Sequence, residues 1–176
     1  MKTFLLAAAF AFAALVGPAS AHGYKIGSLE IGHPWARATP KGATVAGGYL
    51  TITNRGTEPD RLVGGTISAA ERFEIHEMSM DKGVMKMRPL AAGIEIAPGA
   101  TVELKPGGYH LMFIGIKTPF VKDQRIKGTL RFEKAGTVDV EYAVTAIGGS
   151  PSQHEHGQGH GGSHGHGGGA DPRAGH

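Results

Sequence analysis

Histidine and methionine side chains concentrate in two short stretches of the 176-residue sequence. The first stretch begins at His76 and ends at Met87, and the second contains His110 and Met112. Five of the six methionines lie in these stretches, and the sixth is Met1. Because the predicted core strands use Val, Ile, Leu and Phe, methionine is not a general core filler here. Imidazole and thioether groups concentrated in this way predict a metal-binding site.

Strand geometry explains how four of these side chains could meet. Residues two apart on a β-strand project to the same face, so His110 and Met112 present an imidazole and a thioether side by side. A turn at residues 81–83 (Asp-Lys-Gly) folds the chain back after His76, and we expect it to bring Met87 close to that histidine. We therefore predict that these four side chains form one site.

Three more methionines lie between His76 and Met87. Met78 follows the histidine by two residues and is a candidate auxiliary ligand. We expect Met80 and Met85 to flank the site without binding metal.

The donor types favour copper. Thioether is a soft, neutral ligand that suits Cu(I), while imidazole binds both copper oxidation states. Zinc prefers thiolate, imidazole or carboxylate ligands, and calcium and magnesium require oxygen ligands. The alternative for a methionine cluster is an adaptable surface that binds a protein partner. The combination of two methionines with two histidines favours a Cu(I) site over that alternative.

The C-terminal residues 148–176 are rich in glycine and histidine and nearly lack apolar side chains. Such a segment cannot bury enough surface to offset its chain entropy, so we expect it to be disordered. Its imidazole-rich composition predicts metal binding, with nitrogen ligands that favour Cu(II). His22, the expected N-terminus after processing, is a further Cu(II) candidate through its amine and ring nitrogen. The tail histidines are His154, His156, His160, His164, His166 and His176.

Residues 1–21 have the pattern of a cleaved signal peptide, with a basic residue, an apolar run at 4–16 and small residues at Ala19 and Ala21. The apolar run is too short to span a bilayer. We therefore expect a periplasmic protein with a copper-binding domain at residues 22–147. The sequence has no cysteine, so packing must hold this domain together without disulfides.

The formal net charge is +3, and the basic residues are interspersed with Asp and Glu. This distribution provides no basic patch of the kind that nucleic acids or membrane surfaces require. We expect a monomer that neither binds nucleic acid nor inserts stably into a membrane.

Apolar and polar residues alternate in several short runs separated by Gly, Pro, Asn and Asp turns, which predicts half-buried strands. No long helical periodicity is present. We therefore predict an all-β domain, a Greek-key β-sandwich or barrel. The runs are residues 49–53, 72–76, 101–104, 109–116, 129–133 and 137–144.

The intervals between the four predicted ligands resemble the hallmark of the periplasmic copper chaperone family PCu(A)C. Ten residues separate His76 from Met87, and twenty-two separate Met87 from His110, which begins a His-x-Met motif. The second interval is one residue longer than the commonest spacing, which the loop before His110 could absorb. Residues 31–40, which include His33 and Trp35, also resemble the family, as do residues 47–50 (Gly-Gly-Tyr-Leu). We expect Trp35 to pack near the core and His33 to be a hydrogen-bonded structural residue.

The resemblance implies a cupredoxin-like β-barrel that holds one Cu(I) near its surface. It implies that His76, Met87, His110 and Met112 are the ligands. It also implies copper delivery toward the Cu(A) centre of cytochrome c oxidase, either to subunit II directly or through a Sco-type copper protein.

Three other functions compete with that of a chaperone. A blue-copper electron-transfer site requires a Cys thiolate, which the chain lacks. An enzyme is not expected, because a four-ligand set leaves no open position for substrate and no catalytic motif is evident. A copper storage or resistance protein requires the same ligands as a chaperone, so it remains the alternative.

Overall fold

A computed structural model describes residues 23–150 of the chain, as eleven β-strands. The predicted signal peptide, His22 and the six tail histidines lie outside these residues. Within residues 23–150 there is no helix of the length and apolar character needed to cross a membrane. The strands are β1 (Gly23–Ile26), β2 (Leu29–Arg37), β3 (Val45–Asn54), β4 (Asp60–Ile67), β5 (Arg72–Asp81), β6 (Val84–Pro89), β7 (Ile94–Ile96), β8 (Thr101–Leu104), β9 (Tyr109–Ile114), β10 (Arg125–Phe132) and β11 (Thr137–Thr145).

The strands form one continuous hydrogen-bonded path in the order β6-β5-β9-β3-β2-β11-β10-β4-β7, with β1 added to β2 and β8 added to β3. Only the pairing of β11 with β2 is parallel among these strands. β3 pairs with β9 through residues 45–48 and with β8 through residues 50–53. Strands that change partners along their length join the layers of a β-sandwich. The prediction of an all-β, cupredoxin-like sandwich is confirmed, and all six predicted runs overlap a strand.

A bulge in β2 interrupts its pairing with β3 between Gly32 and Trp35. His33 lies exposed at this bulge with a φ of 48°, and makes no side-chain hydrogen bond within the described residues. The expectation of a hydrogen-bonded His33 is therefore wrong, because the extra residue of the bulge turns the ring to solvent. Trp35 is buried, as expected, and its ring centroid lies 4.4 Å from that of Tyr49.

The core lies between the sheet layers and supports the strands that carry the His and Met residues. Gly48 on β3 makes room for the Phe113 ring, since a Cβ at that glycine would lie 2.4 Å from the ring. Phe113 packs edge-on against Tyr142 with the ring centroids 5.2 Å apart. The largest fully buried side chains of the core include Leu29, Ile31, Leu50, Ile52, Leu62, Leu111, Phe113, Phe120, Leu130 and Tyr142.

A buried carboxylate anchors the start of β4 to the turn between β10 and β11. Asp60 accepts hydrogen bonds from the backbone N–H groups of Arg61 at 2.7 Å, Lys134 at 2.9 Å and Ala135 at 2.9 Å. Burial alone raises the pKa of the Asp60 carboxyl. The three N–H donors and the nearby Lys134 charge together lower that pKa by more, so it lies below its ordinary value of 3.8.

Replacing Asp60 with Asn should lower the free energy of unfolding at pH 7 by about 1–3 kcal/mol, because the amide cannot accept all three hydrogen bonds. A lowered folded-state pKa gives stability that is present above the unfolded pKa and lost as pH falls through the folded value. The difference between the wild type and Asp60→Asn should therefore narrow below about pH 4. Urea unfolding of both proteins at pH 7 and below about pH 4 measures this difference in the free energy of unfolding.

Asp139→Asn is the matched control, because Asp139 is exposed on β11. It should change the free energy of unfolding by less than about 0.5 kcal/mol. Equal stability of wild type and Asp60→Asn at pH 7 would contradict the anchoring role.

Candidate metal centre

Three antiparallel strands place the predicted ligands on one face of the sheet. His76 on β5 lies directly opposite His110 on β9, and Met78 on β5 lies directly opposite Met87 on β6. Residues directly opposite each other in an antiparallel pair project to the same face, as do residues two apart on one strand. Met112 follows His110 by two residues and therefore shares this face. The predicted hairpin that returns the chain from His76 to Met87 is present.

These side chains border an open pocket with a volume of about 340 Å³. Met87, His110 and Met112 line it, together with the candidate auxiliary residue Met78. His76 is not among the lining residues. It lies beside the pocket, with its ring centroid 5.7 Å from that of His110. The structure thus brings three of the four predicted ligands to one pocket and the fourth next to it.

The orientation of the His110 ring leaves one nitrogen free to bind metal. Its Nδ1 lies 3.0 Å from the carbonyl oxygen of Gly108, which can only accept, so Nδ1 carries the proton in the neutral ring. Its Nε2 then has a lone pair and lies 3.3 Å from the Met87 Sδ atom, which also offers lone pairs. Two electron-pair donors that face each other at this distance provide a place for a soft cation.

His76 is held in a complementary way by a carboxylate on its own strand. Its Nε2 lies 2.8 Å from Glu74 Oε2, and a carboxylate accepts, so this nitrogen donates. The opposite nitrogen, Nδ1, is buried without a hydrogen-bond partner. A buried unpaired acceptor costs about 1–3 kcal/mol, which a bound cation would offset. Glu74 therefore fixes which nitrogen of His76 is available as a ligand.

Sequence reasoning did not identify Glu74, although its spacing of two residues from His76 places both side chains on the same strand face. Glu74 also lies directly opposite Met112 across the strand pair. It is the carboxylate that contacts a predicted ligand among the described residues.

Trp35, Tyr49 and Arg37 form a cluster of ring and guanidinium contacts next to the pocket. The Arg37 guanidinium lies 6.0 Å from the Trp35 ring centroid and 5.8 Å from that of Tyr49. Burial raises the pKa of the Tyr49 hydroxyl, and the positive charge of Arg37 only partly opposes this. Both Arg37 and Tyr49 line the pocket. Sequence analysis placed Trp35 near the core but did not connect this cluster with the site.

The predicted ligands differ in exposure to solvent. His76 and His110 are buried, at 8 % and 5 % exposure, whereas Met87 is 50 % exposed. Residues 23–150 contain no group of three or more His, Cys, Asp or Glu side chains placed to hold a metal ion. The candidate centre consists instead of two imidazoles and several thioethers, with the methionine side open to solvent.

The start of the C-terminal segment lies near this pocket. Arg37, a lining residue, donates from Nε to the backbone carbonyl of Gly149 at 3.2 Å. The histidines of the tail and His22 lie beyond the described residues, so their predicted role stays a prediction.

The fold and the pocket define a class of protein: a β-sandwich with an open pocket lined by His and Met. Comparison with known proteins identifies the family. The family model "Putative lipoprotein LpqE-like" matches residues 29–144. The putative lipoprotein Lxx21020 of Leifsonia xyli subsp. xyli (strain CTCB07) is 34 % identical over 140 residues, which cover 78 % of this chain and 83 % of that protein. The chain therefore belongs to the LpqE-like family.

Two solved structures share the fold. The copper-bound PCuAC domain from PmoF2 is 31 % identical with a TM-score of 0.61, and the match covers 71 % of this chain and 98 % of that domain. The CuI form of DR1885 from Deinococcus radiodurans is 25 % identical with a TM-score of 0.52, covering 72 % and 83 %. The resemblance to PCu(A)C proteins is thus supported by family and by fold.

Proposed function

We propose that this protein is an exported, non-enzymatic copper chaperone that binds Cu(I) through His76, Met87, His110 and Met112. The observation that carries the proposal is the 3.3 Å approach of His110 Nε2 to Met87 Sδ in a pocket that Met112 also lines. Copper-bound relatives with the same fold support it. The metal is cargo here, and the protein supplies a site that can both take it up and release it.

The chemistry of the donors supports Cu(I) over other metals. None of the four proposed ligands brings a charge to the metal, because thioethers are uncharged and imidazole binds metal in its neutral form. Thioethers bind Cu(I) well, and zinc or calcium would need thiolate or oxygen ligands instead. Moving a singly charged ion from water into such a partly buried site costs less desolvation free energy than moving a doubly charged ion.

The exposure of Met87 favours transfer over storage. A partner can approach a half-exposed thioether and replace it at the metal, while the two buried histidines hold the ion until the exchange is complete. We propose cytochrome c oxidase subunit II, or a Sco-type copper protein that serves its Cu(A) centre, as the acceptor. The alternative remains a protein that stores copper or confers resistance to it.

We propose that the C-terminal tail and His22 capture Cu(II) for this site. The hydrogen bond from Arg37 to the Gly149 carbonyl places the first residues of the tail beside the pocket. If residues 148–176 behave as a random coil, as their glycine-rich composition predicts, their root-mean-square reach is roughly 30 Å, from about 5–6 Å times the square root of their length. Copper bound to the tail would therefore be at a high effective concentration near the pocket.

Replacing Met112 with Leu should weaken Cu(I) binding by at least about tenfold, since even residues that only support ligands cost this much. The free energy of unfolding should change by less than about 1.5 kcal/mol, because Leu has a similar volume. Competition with a colorimetric Cu(I) chelator measures the affinity. X-ray absorption of the wild-type Cu(I) form should show sulfur and nitrogen ligands together, and a copper shell without sulfur would contradict the proposed site.

Truncation after Gly149 should remove most Cu(II) binding and leave Cu(I) binding nearly unchanged, because it deletes all six tail histidines but keeps the carbonyl that Arg37 binds. Titration calorimetry with Cu(II) measures the loss. A full-length variant with the six histidines replaced by Asn is the matched control and should behave like the truncation. Unchanged Cu(II) binding in both would show that the tail is only a solvated extension.

Incubation of the Cu(I)-loaded protein with apo cytochrome c oxidase subunit II, or with an apo Sco-type protein, separates a chaperone from a storage protein. A chaperone should lose its copper to the acceptor, as measured by copper analysis after separating the two proteins. Copper retained on this protein in the presence of excess of both acceptors would instead favour storage.

A further inference from the structure

The hairpin formed by β5 and β6 has two chemically different faces. Met78 lies opposite Met87, and Met80 lies opposite Met85, so four thioethers share one face. The other face carries ion pairs. Arg88 donates to the Glu77 carboxylate at 2.9 and 2.6 Å, and Lys86 donates to Asp81 at 2.5 Å. Between residues 77 and 88, the charged side chains of the hairpin thus lie on the face without sulfur.

The methionine pair nearest the turn is largely exposed to solvent. Met80 is 64 % exposed and Met85 is 50 % exposed. Exposing two large apolar side chains on one strand pair forgoes the stabilisation that burial would give them. Neither side chain belongs to the hydrophobic core or lines the pocket. Packing therefore does not account for either methionine.

The register places this pair in line with the candidate metal centre. Met80 and Met85 are each two residues from Met78 and Met87, which is about 6.6–6.8 Å along a strand. The Cβ atoms of a directly opposed pair lie about 4.5–5.5 Å apart, so two flexible thioethers there can grip one soft ion between them. Met87 is at the other end of this line and contacts His110.

We propose that Met80 and Met85 form a second, outer Cu(I) site that receives copper and passes it along the methionine face to the inner centre. The metal moves by ligand exchange, in which a new Cu–S bond to Met78 or Met87 forms before the bond to Met80 or Met85 breaks. Copper stays as Cu(I) throughout, so the step needs no electron donor. Two thioethers bind more weakly than a set that includes two imidazoles, which gives the transfer its direction. This inference rests on the proposed Cu(I) function of the inner centre.

The ion pairs on the opposite face support this role. They connect β5 to β6 and hold the hairpin in register with their charges turned away from Met80 and Met85. Glu77 and Arg88 project opposite to Met78 and Met87 on their strands, so a carboxylate cannot compete for the ion from these positions.

The test uses the full chain labelled with ¹³C at the methionine methyl groups and titrated without oxygen with Cu(I) supplied as its acetonitrile complex. The first equivalent should shift the methyl resonances of Met87 and Met112, and further Cu(I) should shift those of Met80 and Met85. If Met80 and Met85 stay unmoved while Met87 and Met112 shift, the outer site is wrong and the proposed function stands. If none of the four resonances moves, the proposed function is wrong as well.

The double variant Met80→Leu with Met85→Leu provides the kinetic arm. Cu(I) uptake from a competing chelator should slow by about tenfold as the local copper reservoir is lost, and inner-site affinity should stay within about threefold. Val84→Leu is the matched control, because Val84 is an exposed apolar residue at the same turn but lies opposite Asp81 on the ion-pair face. Equal uptake rates in the double variant and in Val84→Leu would overturn the relay.

Discussion

The antiparallel pairing of β5 with β9 is the constraint on which the candidate centre depends. It sets His76 opposite His110 and Glu74 opposite Met112, and the adjoining pairing of β5 with β6 then places Met87 opposite Met78. A shift of either strand by one residue would turn its imidazole toward the core and its core residue, Ile75 on β5 or Leu111 on β9, toward the pocket. Burial of these apolar residues on one face therefore fixes the position of the polar ones on the other. The stability of the sandwich and the geometry of the site are consequences of the same pairing.

Hydrogen bonds outside the pocket complete what the register begins. The Gly108 carbonyl engages one nitrogen of His110, and the Glu74 carboxylate engages one nitrogen of His76. The lone pair of the other nitrogen of each ring is then available to a metal. The rings are thus prepared before any ion arrives. The thioether of Met87 remains half exposed, so the site combines a fixed, buried half with an adaptable, accessible half.

Sequence patterns predicted the part of this structure that depends on local alternation. The runs in β3, β5, β8, β9, β10 and β11 were found because polar and apolar residues alternate along them. β2 was missed because Gly32 and Pro34 interrupt it at a bulge, and the three-residue β7 is too short to show a pattern. Spacing within a strand predicted that His110 and Met112 share a face. It could not predict that β9 lies between β5 and β3, because that order depends on long-range pairing. The same spacing places Glu74 on the face of His76, but it does not show that the carboxylate turns to hydrogen-bond the ring.

The position of β6 at the end of the sheet has a further consequence, for self-association. An edge strand exposes unpaired backbone groups to which a strand of another molecule could add. Lys86 and Arg88 place positive charges along this edge, and Pro89 removes a backbone donor at its end. These charged side chains and the proline oppose the addition of a strand from another copy, while the methionine side chains of β6 remain open to soft ions. The same strand can present sulfur to a passing metal without becoming a template for aggregation.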